Sequence, residues 1–181
     1  MTRQLINFTD TESTGLNEPD QRLIEVCCRL YDDETEQLVK GYVWRSNPLR
    51  KIEASAQKVH GIRLDDLANE PTFDVIAPQI RGTIEHPEVI ALVAHNGDHF
   101  DFPFLDRELR RVGQPTRFPT LFDTMTKARW ATANGKNPRL GELCKCLDIP
   151  YDPALAHSAE YDVDRMALSF FEARRLGWFS L

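Results

Sequence analysis

The sequence predicts a single α/β domain, a mixed sheet with helices on its faces, over residues 1–181. Three observations predict it. Three strand-like segments follow one another across short turns, the pattern of an antiparallel start to a sheet. One continuous apolar run then sits among helix-period segments, as a buried parallel strand would. The size of 181 residues, with 41% hydrophobic and 28% charged, suits one domain with a real core.

The elements are read in chain order. Gln4 to Thr11 is the first strand and Arg22 to Tyr31 the second (Leu23, Ile24, Val26, Cys28, Leu30), with Gly15, Asn17, Pro19 and Asp20 as the turn between them. Gln37 to Trp44 is the third. Ile52 to His60 reads as a helix with Ile52, Ala56 and Val59 on one stripe. Gly61 is its stop and His60 a helix-end residue. Thr72 to Glu85 carries Phe73, Ile76, Ile80 and Ile84 at helical spacing. Val89 to Ala94 is the apolar strand. Asp101 to Val112, ending at Gly113, and Arg139 to Leu147 are further helices. The last helix, Ser158 to Leu176, carries Met166, Phe170 and Ala173 on one face, with Ser158 as its N-cap. This order matches the RNase H-like plan.

Four cysteines show neither zinc-ligand nor disulfide-framework spacing and read as buried free thiols. Cys27 and Cys28 would point to opposite faces of their strand. Cys144 and Cys146 would lie about 200° apart on a helix. No apolar run approaches the roughly 20 residues of a membrane helix. The N-terminus has no signal-peptide core, so the chain reads as intracellular and cytoplasmic. The net charge of −6 disfavours a polyanionic partner, but its distribution does not. Residues 103–145 hold nine basic and four acidic side chains, +5 locally against −11 elsewhere. Such a segment either steers nucleic acid or is a solvated helix face.

Three short stretches carry chemistry. In Asp10-Thr11-Glu12, strand geometry turns both carboxylates to one face, about 6.5–7 Å apart, where a divalent cation relieves their repulsion. In His95-Asn96-Gly97-Asp98-His99-Phe100-Asp101, a buried strand ends in a polar turn and Asp101 opens a helix. In His157-Ser158-Ala159-Glu160-Tyr161-Asp162, Asp162 lies in the first turn of the last helix. His157 precedes that helix on a loop, where a neutral imidazole suits a general base.

Taken in order, these stretches resemble the DEDDh, or DnaQ-like, exonucleases, and within them the three-prime repair exonucleases. Asp10, Glu12, Asp101, Asp162 and His157 match position by position, and the likeness runs through Leu92–Gly113 and Lys58–Ile62. The resemblance implies an RNase H-like fold with a central mixed five-stranded sheet flanked by helices. It also implies 3′→5′ hydrolysis of nucleic acid to nucleoside 5′-monophosphates. Asp10, Glu12 and Asp162 would ligate two divalent cations, Mg²⁺ or Mn²⁺, with Asp10 bridging. Asp101 would hold the second ion directly or through water, and His157 would be the general base. Thr14 and Gly15 would grip the 3′ end and Leu16 would wedge against its base. Asn96 would order the loop near the scissile phosphate, and Phe100 or Trp130 could stack on bases. His99 stands where relatives carry Arg, and Thr9 precedes Asp10 where they carry an apolar residue. The expected partner is a nucleic acid with a 3′ end, DNA over RNA. A ribonuclease of the same fold and a non-catalytic 3′-end-binding module are the competing readings. A homodimer through the 37–44 edge is compatible with the sequence.

Overall fold

The computed structural model describes residues 3–16 and 20–181; the part of the expected first turn at Asn17 and Pro19 lies outside the described residues. Five strands form one sheet in the order β3-β2-β1-β4-β5. They are β1 (Leu5–Ser13), β2 (Leu23–Asp32), β3 (Leu38–Arg45), β4 (Val89–Ala94) and β5 (Thr120–Asp123). The first three pair antiparallel, and β4 and β5 add on parallel. The helices are α1 (Ala54–His60), α2 (Phe73–Ile84), α3 (Asp101–Arg111), α4 (Thr124–Lys127), α5 (Leu140–Cys146) and α6 (Ala159–Arg175).

The sheet is covered on both faces, as its parallel half requires. On one face Ile6, Phe8, Ala91 and Val93 pack under α6 with Met166, Phe170 and Phe171. On the other, Val26, Leu92 and Ala94 pack under α2 and α3 with Ile76, Ile80, Leu105 and Leu109. Cys27 joins the first cluster and Cys28 the second, the opposite-face arrangement expected of adjacent strand residues. The stripe expected on α2 is buried throughout, at Phe73, Ile76, Ile80 and Ile84. β3 is an outer strand whose side chains alternate between exposed and half-buried.

The structure differs from the sequence reading in several places, the short α4 among them. β5 is not distinguished in the sequence, because four residues with polar ends, Thr120 and Asp123, give no period to detect. α1 buries no residue, and Val59 is exposed. Its apolar spacing is that of a surface helix, while Ile52 before it packs against Ile24, Ile62 and Leu67. Ser158 occupies the N-cap position of α6, but its side chain caps nothing. Cys146 is exposed while Cys144 is buried, as their separation around α5 dictates. The stops behave as expected: Gly61 and Gly113 both take the left-handed conformation, at φ 73° and 74°. Among the described residues, no helix is long and apolar enough to cross a membrane.

Candidate active site

β1 carries the first two acids into the middle of the sheet. Its alternation turns Asp10 and Glu12 to the α6 side, in line with Ile6 and Phe8, and turns Thr9 and Thr11 to the α3 side. β1 runs two residues further than its sequence pattern suggests, so Glu12 is inside the strand. Pairing with β4 ends at Phe8↔Val93, whereas pairing with β2 continues to Ser13↔Leu23. Beyond Phe8, β1 therefore has an open side at the point where the sheet changes from antiparallel to parallel, the usual place for a site in such sheets. Asp101, the first residue of α3, reaches β1 there. It is 2% exposed, and the Thr11 hydroxyl donates to its Oδ1 at 2.7 Å.

Asp162 arrives from the first turn of α6. The His157 backbone N–H donates to Asp162 Oδ2 at 2.9 Å, and Asp162 Oδ1 is buried with no hydrogen-bond partner among the described residues. His157 itself is exposed and sits at φ 66°. That left-handed conformation, uncommon outside glycine, lets its N–H turn back onto the acid.

The four carboxylates are in electrostatic conflict. Burial, then Asp101, Glu12 and Asp162, holds the Asp10 carboxyl well above the usual range. Burial, then the charges of Glu25, Asp101 and Asp162, pushes Glu12 to about 8. Burial pushes Asp101 to about 7, although the Thr11 hydrogen bond pulls it down. Burial also raises Asp162, against the His157 N–H. Among the described residues, no three His, Cys, Asp or Glu side chains already form a metal-holding group. The donor set nevertheless fits a hard divalent cation: oxygen ligands only, converging negative charge, and a buried carboxylate oxygen with no donor to satisfy it.

Two residues that shape the site escaped the sequence reading. Asp123, 1% exposed at the end of β5, accepts from the backbone N–H groups of Asn96 (3.0 Å), Met125 (2.8 Å) and Asp98 (3.2 Å). It holds the loop ahead of Asp101 while Asn96 turns at φ 74°. A recognised β5 would have pointed to it. Glu25 lies directly across from Glu12 on β2 and is paired with Arg45 at 2.6 Å. Only the strand register brings it there.

The residues after β1 divide. Thr14 is fully buried; its N–H donates to Arg22 O, its carbonyl accepts from Glu53 N–H, and its hydroxyl donates to Gln21. These bonds fix the Thr14 backbone at the end of β1. Gly15 has no space for a side chain, since a Cβ would stand 2.5 Å from the Glu53 carboxyl carbon. Leu16 is 67% exposed, so it is no core contact. Phe100 is half-buried, edge-on to Phe104 and packed against the α3-side core. Trp130 packs on Trp178, with ring centres 4.5 Å apart. Thr9, unusual before Asp10, is buried and satisfied by donating to Cys27 O at 2.8 Å.

Asp10, Asp162 and His157 share the wall of an open cleft of about 1190 Å³ with Tyr151, Arg139 and Lys145. A hard-cation donor set and an exposed imidazole, at the open edge of a sheet that has the RNase H-like plan, define a nuclease class. The exonuclease family model RNase_T matches residues 8–170. The chain is 30% identical over 170 residues to the DNA polymerase III subunit epsilon of Buchnera aphidicola subsp. Schizaphis graminum, covering 88% of this chain and 70% of that protein. It is 26% identical over 174 residues to the 3′-5′ exonuclease DinG of Bacillus subtilis, covering 95% of this chain but 18% of that protein. The fold superposes on E. coli exonuclease I, solved in a zinc-bound complex with single-stranded DNA, at a TM-score of 0.83. That match has 17% identity and covers 97% of this chain and 41% of the other. The chain therefore belongs to the DEDDh, DnaQ-like exonuclease family.

Proposed function

We propose that this protein is a metal-dependent 3′→5′ exonuclease that removes nucleotides from the 3′ end of DNA, single-stranded or frayed. One observation carries the reading. Four carboxylates from β1, α3 and α6 converge against one another at the open end of the sheet, and the backbone of an exposed histidine is fastened to the last of them. Such repulsion has a purpose only where a cation offsets it.

Asp10, Glu12 and Asp162 would hold two divalent cations, Mg²⁺ or Mn²⁺, with Asp101 completing the set. When bound, these ions supply the positive charge that an anionic phosphodiester transition state needs. Thr11 fixes the rotamer of Asp101, and the His157 N–H fixes that of Asp162. The His157 imidazole faces solvent and takes the proton of the attacking water. The water oxygen bonds to phosphorus, the bond from phosphorus to the 3′-oxygen breaks, and that oxygen leaves to be protonated by solvent. The products are a nucleoside 5′-monophosphate and a strand one nucleotide shorter. Gly15 leaves room for the Glu53 and Gln21 side chains behind the strand end, and Leu16 presents an exposed apolar side chain to the terminal base.

The test uses 5′-labelled single-stranded DNA and RNA of one sequence, each with Mg²⁺, Mn²⁺ or EDTA. A metal-dependent ladder shortening from the 3′ end, faster on DNA, is expected. A faster RNA ladder would make the enzyme a ribonuclease. No cleavage of either by the folded protein would overturn the catalytic reading.

A further inference from the structure

Two parts stand out in the basic segment 103–145, apart from Arg117, from Lys127 over the Phe122 ring and from Arg129, which donates to the Gly135 carbonyl. On α3 the charges are answered: Arg110 pairs with Asp106 at 2.8 Å, Arg111 pairs with the fully buried Glu108 at 2.7 Å, and Arg107 lies over the Phe104 ring at 4.0 Å. In the second part, Lys136, Arg139 and Lys145 are all exposed, and among the described residues none makes an ion pair. These three line a second open groove, beside α5. That groove shares Arg139, Glu142 and Lys145 with the cleft that holds Asp10, Asp162 and His157, so the two are continuous.

The acids along this path are constrained or few. The Glu142 carboxylate accepts from the Arg139 backbone N–H at 2.7 Å, which ties its charge to the start of α5. Asp148 lies on the catalytic cleft side only. The path is also indexed to the site. His95, immediately after β4, bridges Thr124 Oγ1 at 2.9 Å and the Pro138 carbonyl at 3.1 Å, directly before Arg139.

We infer that the groove of Lys136, Arg139 and Lys145 is a phosphodiester track for single-stranded nucleic acid, carrying the strand beyond its terminal nucleotide. The inference rests on the exonuclease reading. An enzyme that holds a 3′ end in its site must let the rest of the strand leave through the open side, and Lys136, Arg139 and Lys145 line that exit. Polyanion binding by three exposed cations gives a salt-dependent affinity, about 0.7 in log–log slope for each contact on a single strand.

The test measures binding of 5′-labelled oligothymidylates by fluorescence anisotropy, in Ca²⁺, across salt. One is about four and the other about twelve nucleotides long, the span of a single-strand groove. The parent is compared with Lys136→Gln/Arg139→Gln/Lys145→Gln and with the charge-keeping Lys136→Arg/Arg139→Lys/Lys145→Arg. The expected result is that the parent prefers the longer oligonucleotide and that the glutamine variant loses this preference. The parent's affinity should also fall about ten- to twenty-fold more than the variant's between roughly 50 and 200 mM salt. The charge-keeping variant should restore both properties. Equal length preference and equal salt slope in parent and glutamine variant, with matching circular dichroism, would overturn the track. Binding is read without turnover, so a protein that binds along the track yet cleaves nothing would refute the exonuclease reading and leave the track standing.

Discussion

The two halves of the candidate site are built in opposite ways. The acidic half stands on regular structure: Asp10 and Glu12 inside a central strand and Asp101 at the head of a helix, with Thr11 clamping Asp101 from the back. The histidine half is an exposed loop residue in a left-handed conformation, tied to the acids only by its backbone N–H. The contrast is physical: burial concentrates the charge of the acids, and exposure would let the proposed base exchange its proton with solvent. A buried imidazole in this fold behaves differently. His95, enclosed between Thr124 and Pro138, is pushed down to about 4 by burial and cannot take up a proton near neutral pH.

The strongest way to break this comparison is to remove an acid. Asp10→Ala should lower turnover by at least about 10³-fold, as loss of a central electrostatic group does, while 3′-end binding persists. Normal turnover on a labelled oligonucleotide would mean that the acidic half is not the catalytic one. Removing the base should hurt less. His157→Ala should slow turnover by about 10²–10⁴-fold with little change in affinity. A rate within about twofold of the parent would take His157 out of that role.

Next in size is the clamp. Thr11→Val removes the hydroxyl that donates to buried Asp101 Oδ1. It should cost about 1–3 kcal/mol in urea unfolding and about 10–100-fold in turnover, as loss of an orienting partner does. Thr11→Ser, which keeps the hydroxyl, should recover most of the turnover.

Electrostatic conflict makes a pH prediction of definite sign. Glu12 and Asp101 have folded values of about 8 and about 7, above their unfolded ones. The folded state therefore favours their protonated forms. The stability this contributes is fully present below about pH 4 and is lost as pH rises toward 8. In EDTA, this contribution should lower the melting temperature across that window. Glu12→Gln should flatten the profile and raise the midpoint at pH 8 by about 2–8 °C. Mg²⁺ should raise the parent's midpoint and raise that of Glu12→Gln less. An EDTA profile equally steep in parent and variant would contradict the placement of charge. The smallest effect is expected at the apolar contact. Leu16→Ala, which removes exposed side-chain area, should raise KM by about fivefold with an unchanged melting temperature.

Much of this was legible beforehand. The strands β1, β2, β3 and β4 and the helices α2, α3 and α6 follow from apolar period and glycine stops. The five motif positions stand out because their order and spacing are specific, even though each acid alone is ordinary. β5 is not legible, being too short for a period, and with it goes Asp123, whose importance comes from backbone N–H groups of the loop after β4 and of the first turn of α4. The partners of the Thr14 backbone, Arg22 and Glu53, are not legible either, because both come from other segments of the chain.

The sequence by itself determined which side chains carry charge, which stretches alternate and which turn, and hence the family and its acidic set. Only the tertiary structure decided how those charges interact. Strand register placed Glu25 opposite Glu12, the early end of pairing with β4 opened β1 to Asp101, and the path of the chain after β5 set three exposed cations beside the site. Local pattern is governed by each residue's own backbone and side-chain preferences, whereas burial, pairing and field depend on neighbours distant in the chain, which become neighbours only on folding.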